Sequence, residues 1–485
     1  MDAGSLTVAN VRIDVPFRVF NPDYYPYLYA MYKHLGIGFA AADYSLAFMR
    51  NGSALWSYTN LSVKDFQVPI PDSLGCSAEW ARLLFLCVRT LRQPEMLHQG
   101  SELDNISIGE YLRKQGYSER FVDLEFVPFC ASLFTCSLSA AAAYPANTVL
   151  HFTARAVFGA RLRKAQHGVQ EVCEILTRKL SNVRCNASVS SVVPKNGHVL
   201  VTVGSETLEF DSVVMATPAD TAAKLISNSP AKTALEAVQY EDAVVVTHGD
   251  SSVMPSEKAS WRGVNIGTAQ GQSMAMASHW INYVERTSTG RHLPHATFQT
   301  VNPLVPLDES LVLSSTTFHR SLVTVESQAH INDIHRAQGH DNIWMVGTYA
   351  APGVPLLEGC VRSAVDVVRA IGKLPFEAPR QLRKDNNVLY EVGLAKGCVR
   401  GELVEAYFEQ PLAGSFKLTG VAWMLFHVIL PIMLAVSSAI DITTRILLGD
   451  HLGRKLQSLL VTVLVGFLVL LELAYKHTSP RAAGP

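Results

Sequence analysis

The stretch from Ile343 to Ile371 constrains this chain more than any other. Its first part, Ile343-Trp344-Met345-Val346-Gly347, is a short apolar run closed by a glycine, and Thr348-Tyr349-Ala350-Ala351-Pro352-Gly353-Val354-Pro355 follows as a loop. Apolar residues then return at 361, 364, 365, 368 and 371, the spacing of one helix face. The pattern predicts strand, glycine loop, helix. A helix start leaves backbone N–H groups unpaired and carries a partial positive charge, so a glycine loop leading into one can receive a phosphate, a polyol chain or an electron-rich ring edge. The same order also serves as a plain strand-to-helix turn in any α/β domain, and only the rest of the chain separates the two.

At 485 residues the chain has room for two or three domains and for large cores. Its 41 basic and 42 acidic residues nearly cancel, which leaves no electrostatic footprint for nucleic acid. The eight cysteines contain no C-x-x-C pair, and several sit in apolar runs such as Leu84-Phe85-Leu86-Cys87-Val88. They read as buried reduced thiols of a reducing compartment, with no support for a metal or disulfide framework. Residues 1–10 lack the basic and apolar regions of a secretory signal, so the expectation is a catalytic part facing the cytosol or another reducing space.

In chain order, residues 12–21 read as a strand interrupted by Pro16, and Tyr25 to Leu35 as a helix. Gly36-Ile37-Gly38-Phe39-Ala40-Ala41 matches G-x-G-x-x-A formally, but a helix precedes it where a dinucleotide fingerprint needs a strand; Gly36 reads as a helix C-cap. Ser107-Ile108-Gly109-Glu110 is a capping box, and Phe121 to Leu138 reads as a buried helix that lines a pocket in part. From His167 the texture turns α/β. A helix over Gly168 to Leu180 places Val169, Val172, Ile175, Leu176 and Leu180 on one face, strands at 186–193 and 198–203 flank a turn at 194–197, and Leu208 to Ala216 reads as a further strand ending in Thr217-Pro218. Residues 243–318 alternate strands with Ser/Gly/Pro loops, as an antiparallel sheet with one face toward a cavity does.

Beyond a linker at 376–416, Leu418 to Ile440 is 23 residues without Asp, Glu, Lys or Arg, and Leu456 to Tyr475 is a second apolar run. A membrane-spanning helix needs about 20 such residues, so 417–476 reads as a two-helix transmembrane hairpin, with 477–485 as a tail.

Separated stretches together resemble the flavin-containing amine oxidase superfamily, most closely its branch of NAD/FAD-binding proteins of uncertain substrate. They are Asp14-Val15-Pro16-Phe17-Arg18-Val19-Phe20-Asn21 with Tyr25-Pro26 and Leu35-Gly36, then Phe210 to Asp220, then His248-Gly249-Asp250 with Met254-Pro255, Trp261 and Asn302-Pro303, and last Gly347 with Leu357-Glu358-Gly359-Cys360-Val361. The resemblance covers about residues 12–372 and implies an α/β fold: a Rossmann-like FAD-binding domain over 1–375 with an interleaved α+β substrate part at about 46–145 and 243–330. It implies FAD as cofactor, and Val189, Thr217, Pro218, Gly347, Thr348, Glu358, Gly359, Cys360 and Val361 as the residues that meet it, Val189 at the adenine. No catalytic side chain is assigned, because a flavin accepts the hydride at its own ring nitrogen.

Three departures stand out. The family's strand and G-x-G-x-x-G should precede residue 12, where only eleven residues stand, so the reading is of an N-terminally truncated domain: an incomplete gene product, or one that has lost tight FAD binding. His167-Gly168 replaces a paired glycine, and Thr348 stands where many amine oxidases carry a carboxylate. The expected function is FAD-dependent oxidation of a small hydrophobic or lipid-like substrate at a membrane. The alternatives are a polyene desaturase or isomerase on the same fold, and a tethered non-catalytic remnant that binds lipid or a partner.

Overall fold

The computed structural model describes residues 4–372 apart from 43, 64, 65, 73, 74, 99, 159–161, 228, 285–292 and 294. The linker, hairpin and tail expected over 376–485 lie outside the described residues. Among the described residues no helix is long and apolar enough to cross a membrane.

The chain opens with a hairpin, β1 (Gly4–Val8) and β2 (Val11–Val15), turned at Ala9-Asn10, both at positive φ. Helix α1 (Pro26–His34) starts on a proline, whose missing N–H costs nothing at that position, and buries Tyr27, Leu28 and Tyr32. It stops at Gly36, whose φ of +71° makes it the left-handed C-cap that the sequence predicts. After β3 (Phe39–Ala41) come β4 (Leu46–Arg50), β5 (Ser53–Val63) and β6 (Phe66–Pro71), an antiparallel meander.

A helical layer follows: α2 (Ser77–Arg92), α3 (Ile108–Lys114), α4 (Glu119–Phe121), α5 (Val127–Phe134), α6 (Leu138–Ala143) and α7 (Ala146–Phe158), with a π-helical turn at Val122–Phe126 joining α4 to α5. Ser107 caps α3 by accepting the Glu110 N–H at 3.3 Å, and Ser118 and Ser137 do the same for α4 and α6. The buried helix expected over most of 121–138 is there: it runs without a break through α4, the π turn and α5 to Phe134, stops at Thr135, which is at φ +55°, and restarts as α6 under the Ser137 cap. Leu83, Tyr111, Phe121, Phe126, Phe134 and Tyr144 form the core of this layer.

Strand β7 (Arg163–Ala165) pairs with β3 and leads into α8 (Gly168–Thr177). Next, β8 (Val189–Lys195), β9 (His198–Val203) and β10 (Glu206–Phe210) make a three-stranded antiparallel sheet. Then come β11 (Val213–Met215), α9 (Ala219–Leu225) and α10 (Lys232–Glu236). Strands β12 (Tyr240–His248), β13 (Val264–Thr268), β14 (Met276–Trp280), β15 (Phe298–Val301) and β16 (Val312–Ser321) join the earlier meander in one sheet of eight, ordered β16-β12-β15-β14-β13-β4-β5-β6. Every pairing in it is antiparallel except β13 with β4. The chain closes with α11 (Gln328–Ala337), β17 (Ile343–Met345) and α12 (Leu357–Ile371).

Four local expectations are corrected. Leu208 to Ala216 is two strands, broken at Asp211-Ser212, because β10 joins the antiparallel sheet while β11 turns to pair with β17. Pro194 lies inside β8, and the turn narrows to Asn196-Gly197, both at positive φ. Helix α8 ends at Thr177, leaving Leu176 and Leu180 exposed where one buried face was expected. Helix α12 buries Arg362, Ser363 and Asp366 along with Val361 and Val365, because it is wedged between α1 and β17, while Ile371 at the end of the predicted apolar stripe is exposed. Among the thiols, Cys76, Cys87, Cys130 and Cys136 are buried and reduced as expected, whereas Cys185 is exposed.

Candidate cofactor site

Strands β11 and β17 run parallel, with Met215 opposite Met345, and the Val346 N–H donates to the Met215 carbonyl at 2.9 Å. Their carboxyl ends therefore open on the same side, where open α/β sheets place ligands. Thr217-Pro218 leaves the end of β11 and Gly347-Thr348 the end of β17. The other edge of β17 is closed by a side chain: the Met345 N–H donates to Gln338 Oε1 at 2.9 Å, and Gln338 Nε2 donates to the Met345 carbonyl at 2.6 Å.

Gly347 has φ +153°, a conformation that L side chains rarely adopt, and a Cβ built there would lie 2.7 Å from Tyr349 Cε1. Ser363, two turns into α12, fixes this glycine: its hydroxyl accepts the Gly347 N–H at 3.0 Å and lies 3.1 Å from the Gly347 carbonyl. Thr348 pairs its hydroxyl with Ser321 of β16 at 2.9 Å, tying the loop to the large sheet. His335 Nε2–H donates to the Ala350 carbonyl at 2.7 Å, and burial holds that imidazole below its ordinary range. The Val354 N–H donates to the Tyr24 hydroxyl at 3.1 Å. The loop is held at each step by a side chain from a different element.

Helix α12 begins with no side-chain cap, its N-cap residue being Leu356. A Cβ on Gly359 would make only ordinary contacts, 3.6 Å from Ala351 Cβ and Thr348 Cα, so that glycine permits rather than requires close packing. Burial pushes the Cys360 thiol up, against positive groups that include Arg18 and Arg320. Glu358, in the first turn, turns away from this opening. Its two oxygens accept the N–H groups of Tyr27 and Leu28 at 3.0 and 2.9 Å, at the start of α1. Val361 likewise packs toward α1, with Tyr27, Leu28 and Tyr32.

Two buried hydroxyls at this place have no hydrogen-bond partner among the described residues: Thr217 Oγ1 and Tyr349 Oη. A buried polar atom left unpaired costs about 1–3 kcal/mol, so a pair of them beside an uncapped helix start marks a place built for a polar ligand. Thr217, Pro218, Gly347, Thr348, Gly359 and Cys360 gather around the two strand ends. Val189 packs on the same core as Met215 and Tyr349. Glu358 and Val361 point to the α1 side. Sequence reasoning missed Tyr349, Ser363 and Gln338. A serine inside the apolar period of α12 was the available signal for Ser363, and nothing local marks the other two.

The family model for flavin containing amine oxidoreductases matches residues 4–372. No curated protein matches the chain. Among solved structures, the CLA-producing fatty acid isomerase from P. acnes is 13% identical with a TM-score of 0.52, over 76% of this chain and 88% of that one. Cyclohexylamine oxidase from Brevibacterium oxydans IH-35A is 12% identical with a TM-score of 0.51, over 76% and 90%. These likenesses show the fold.

Proposed function

The chain belongs to the flavin containing amine oxidoreductase family, a flavin oxidoreductase with FAD as cofactor, and from that membership we propose that it oxidises a small hydrophobic or lipid-like substrate at a membrane. The observation that carries the cofactor assignment to particular residues is the pair of unpartnered buried hydroxyls, Thr217 Oγ1 and Tyr349 Oη, next to the uncapped start of α12. These residues fit the group. Thr217 and Tyr349 offer hydrogen bonds, Gly347 offers bare backbone held by Ser363, and the positive end of α12, whose first turn carries Gly359 and Cys360, suits an electron-rich ring edge. Bound FAD supplies the acceptor for a hydride taken from substrate. The chain's own part is to bind, orient and exclude water, and the tie from Thr348 to Ser321 keeps the seat in register with the large sheet.

The substrate class rests on the apolar helical layer and on the uncharged run 418–440, which we read as an anchor that keeps the domain beside a bilayer on a reducing side. A second reading, double-bond isomerisation without net oxidation, draws on the solved isomerase of similar fold. The purified full-length protein is titrated with FAD by fluorescence, then mixed anaerobically with linoleic acid or with cyclohexylamine. Bleaching of the flavin by the fatty acid alone is the expected result. A conjugated product without bleaching selects isomerisation, bleaching by the amine alone overturns the lipid reading, and no FAD uptake overturns the cofactor assignment.

A further inference from the structure

An acidic residue in the first turn of a helix ordinarily complements its own helix end. Glu358 is such a residue on α12, yet it is 5% exposed and both of its oxygens serve another helix. The receiver, α1, has no side-chain cap of its own: Tyr25 at its N-cap gives none, and Pro26 removes one donor. Its next two N–H groups, of Tyr27 and Leu28, both go to Glu358 across more than three hundred residues of sequence. One turn further along α12, Arg362 is fully buried with its guanidinium 5.8 Å from the Tyr27 ring centre. The two helix starts thus share one carboxylate. The helix that owns it has no side-chain cap.

We propose that Glu358 is a positioning residue for the flavin seat, docking the first turn of α12 onto α1 so that the segment beside it, Gly359 and Cys360, is held at the strand ends, with the positive end of a helix that has no side-chain cap facing them. This rests on the flavin reading above. Displacing Glu358 moves its two neighbours directly, because they follow it in the same turn. The carboxylate also carries charge into that turn. Burial raises its pKa to about 7, against the pull of the Tyr27 and Leu28 amides and of Arg362, with Asp366 opposing. The charged and titratable groups around it are Arg362 and Asp366 on α12, Tyr27 on α1 and, beside Arg362, His151 on α7. Its proton is therefore exchanged near neutral pH, and a bound flavin beside it is harder to reduce once that proton has left.

The full-length protein and its Glu358→Ala and Glu358→Gln variants are compared by FAD titration, by hydrogen exchange at Tyr27 and Leu28, and by the midpoint potential of bound FAD between pH 6 and 8. Glu358→Ala is expected to lose protection at both amides and to weaken FAD at least tenfold. Glu358→Gln keeps one acceptor, so it should hold FAD within about threefold while losing the inflection near pH 7 that the wild type shows. A Glu358→Ala protein that binds FAD as tightly as wild type, or a Glu358→Gln protein that keeps the inflection, overturns the role and leaves the flavin reading intact. A wild type that takes up no FAD overturns both.

Discussion

The inner strands of the large sheet, β12, β15 and β14, and the parallel pair β11–β17 treat buried polar groups in opposite ways. In the large sheet, Thr300 Oγ1 lies 2.8 Å from His248 Nε2 and 3.0 Å from Ser278 Oγ. Gln299 Nε2 donates to the Asp14 carbonyl at 3.0 Å and lies 3.3 Å from Thr247 Oγ1, while its Oε1 accepts the Phe17 N–H. His279 donates Nδ1–H to the Gln299 carbonyl at 3.3 Å, and its Nε2 accepts from the Tyr44 hydroxyl at 2.8 Å. At the ends of β11 and β17, by contrast, two hydroxyls have no hydrogen-bond partner among the described residues, beside a helix start with no side-chain cap. Groups satisfied within the chain build a scaffold, and groups left wanting describe a guest.

The largest expected effect probes the satisfied side. Burial holds the His279 imidazole down at about 4, while the unfolded chain titrates at roughly 6.5. Between those values the unfolded state binds more protons, so stability present above about 6.5 is lost as the pH falls through about 4, on the order of 3 kcal/mol. Glu358 has the opposite sign: its burial raises the folded pKa to about 7, so its contribution is full below about 4.5 and is lost as the pH rises through 7. Urea midpoints at pH 7 and pH 4.5 should show a smaller acid loss in His279→Gln than in wild type. Equal losses would mean that the sheet does not hold this ring neutral.

Next in size is Gly347→Val, which places a branched side chain at φ +153° and against Tyr349. FAD affinity should fall about 100-fold, or about 3 kcal/mol, with a folded protein by circular dichroism. Full flavin occupancy in that variant would remove the strand ends of β11 and β17 from the cofactor site.

The smallest effect is the sharpest test of the contrast. Tyr349→Phe removes a buried hydroxyl that hydrogen-bonds to no described residue, so the apoprotein should be as stable or more stable, by up to about 1 kcal/mol, while FAD binds roughly five- to tenfold more weakly. A destabilised apoprotein with unchanged FAD binding would place Tyr349 on the scaffold side instead.

The closing motif was legible in sequence because glycine and proline punctuate it and the helix after it keeps a 3.6-residue period; β17 and α12 appear where that pattern puts them. The break between β10 and β11 was not, since which sheet a strand joins depends on residues far along the chain: β11 pairs with β17, some 130 residues on. The site was half legible. Gly347 and Thr348 carry a local signature, whereas the turning of Glu358 toward Tyr27 and Leu28 depends on a helix more than three hundred residues earlier. Gly168 is another such case. A Cβ there would lie 2.6 Å from Asp14 Oδ1, which accepts the Val169 N–H at 2.8 Å, so the glycine is there to admit a carboxylate that caps α8.

Gln338 has a consequence for how this protein behaves in company. A carboxamide carries the same donor and acceptor as a peptide unit, and here it meets both the N–H and the carbonyl of Met345, while the Gly339 N–H meets the carbonyl of Ile343 at 3.0 Å. Sheet edges usually owe their colloidal safety to charge, proline or a bulge. Here one neutral side chain imitates the missing neighbour, and the edge gives a colliding chain nothing to template on.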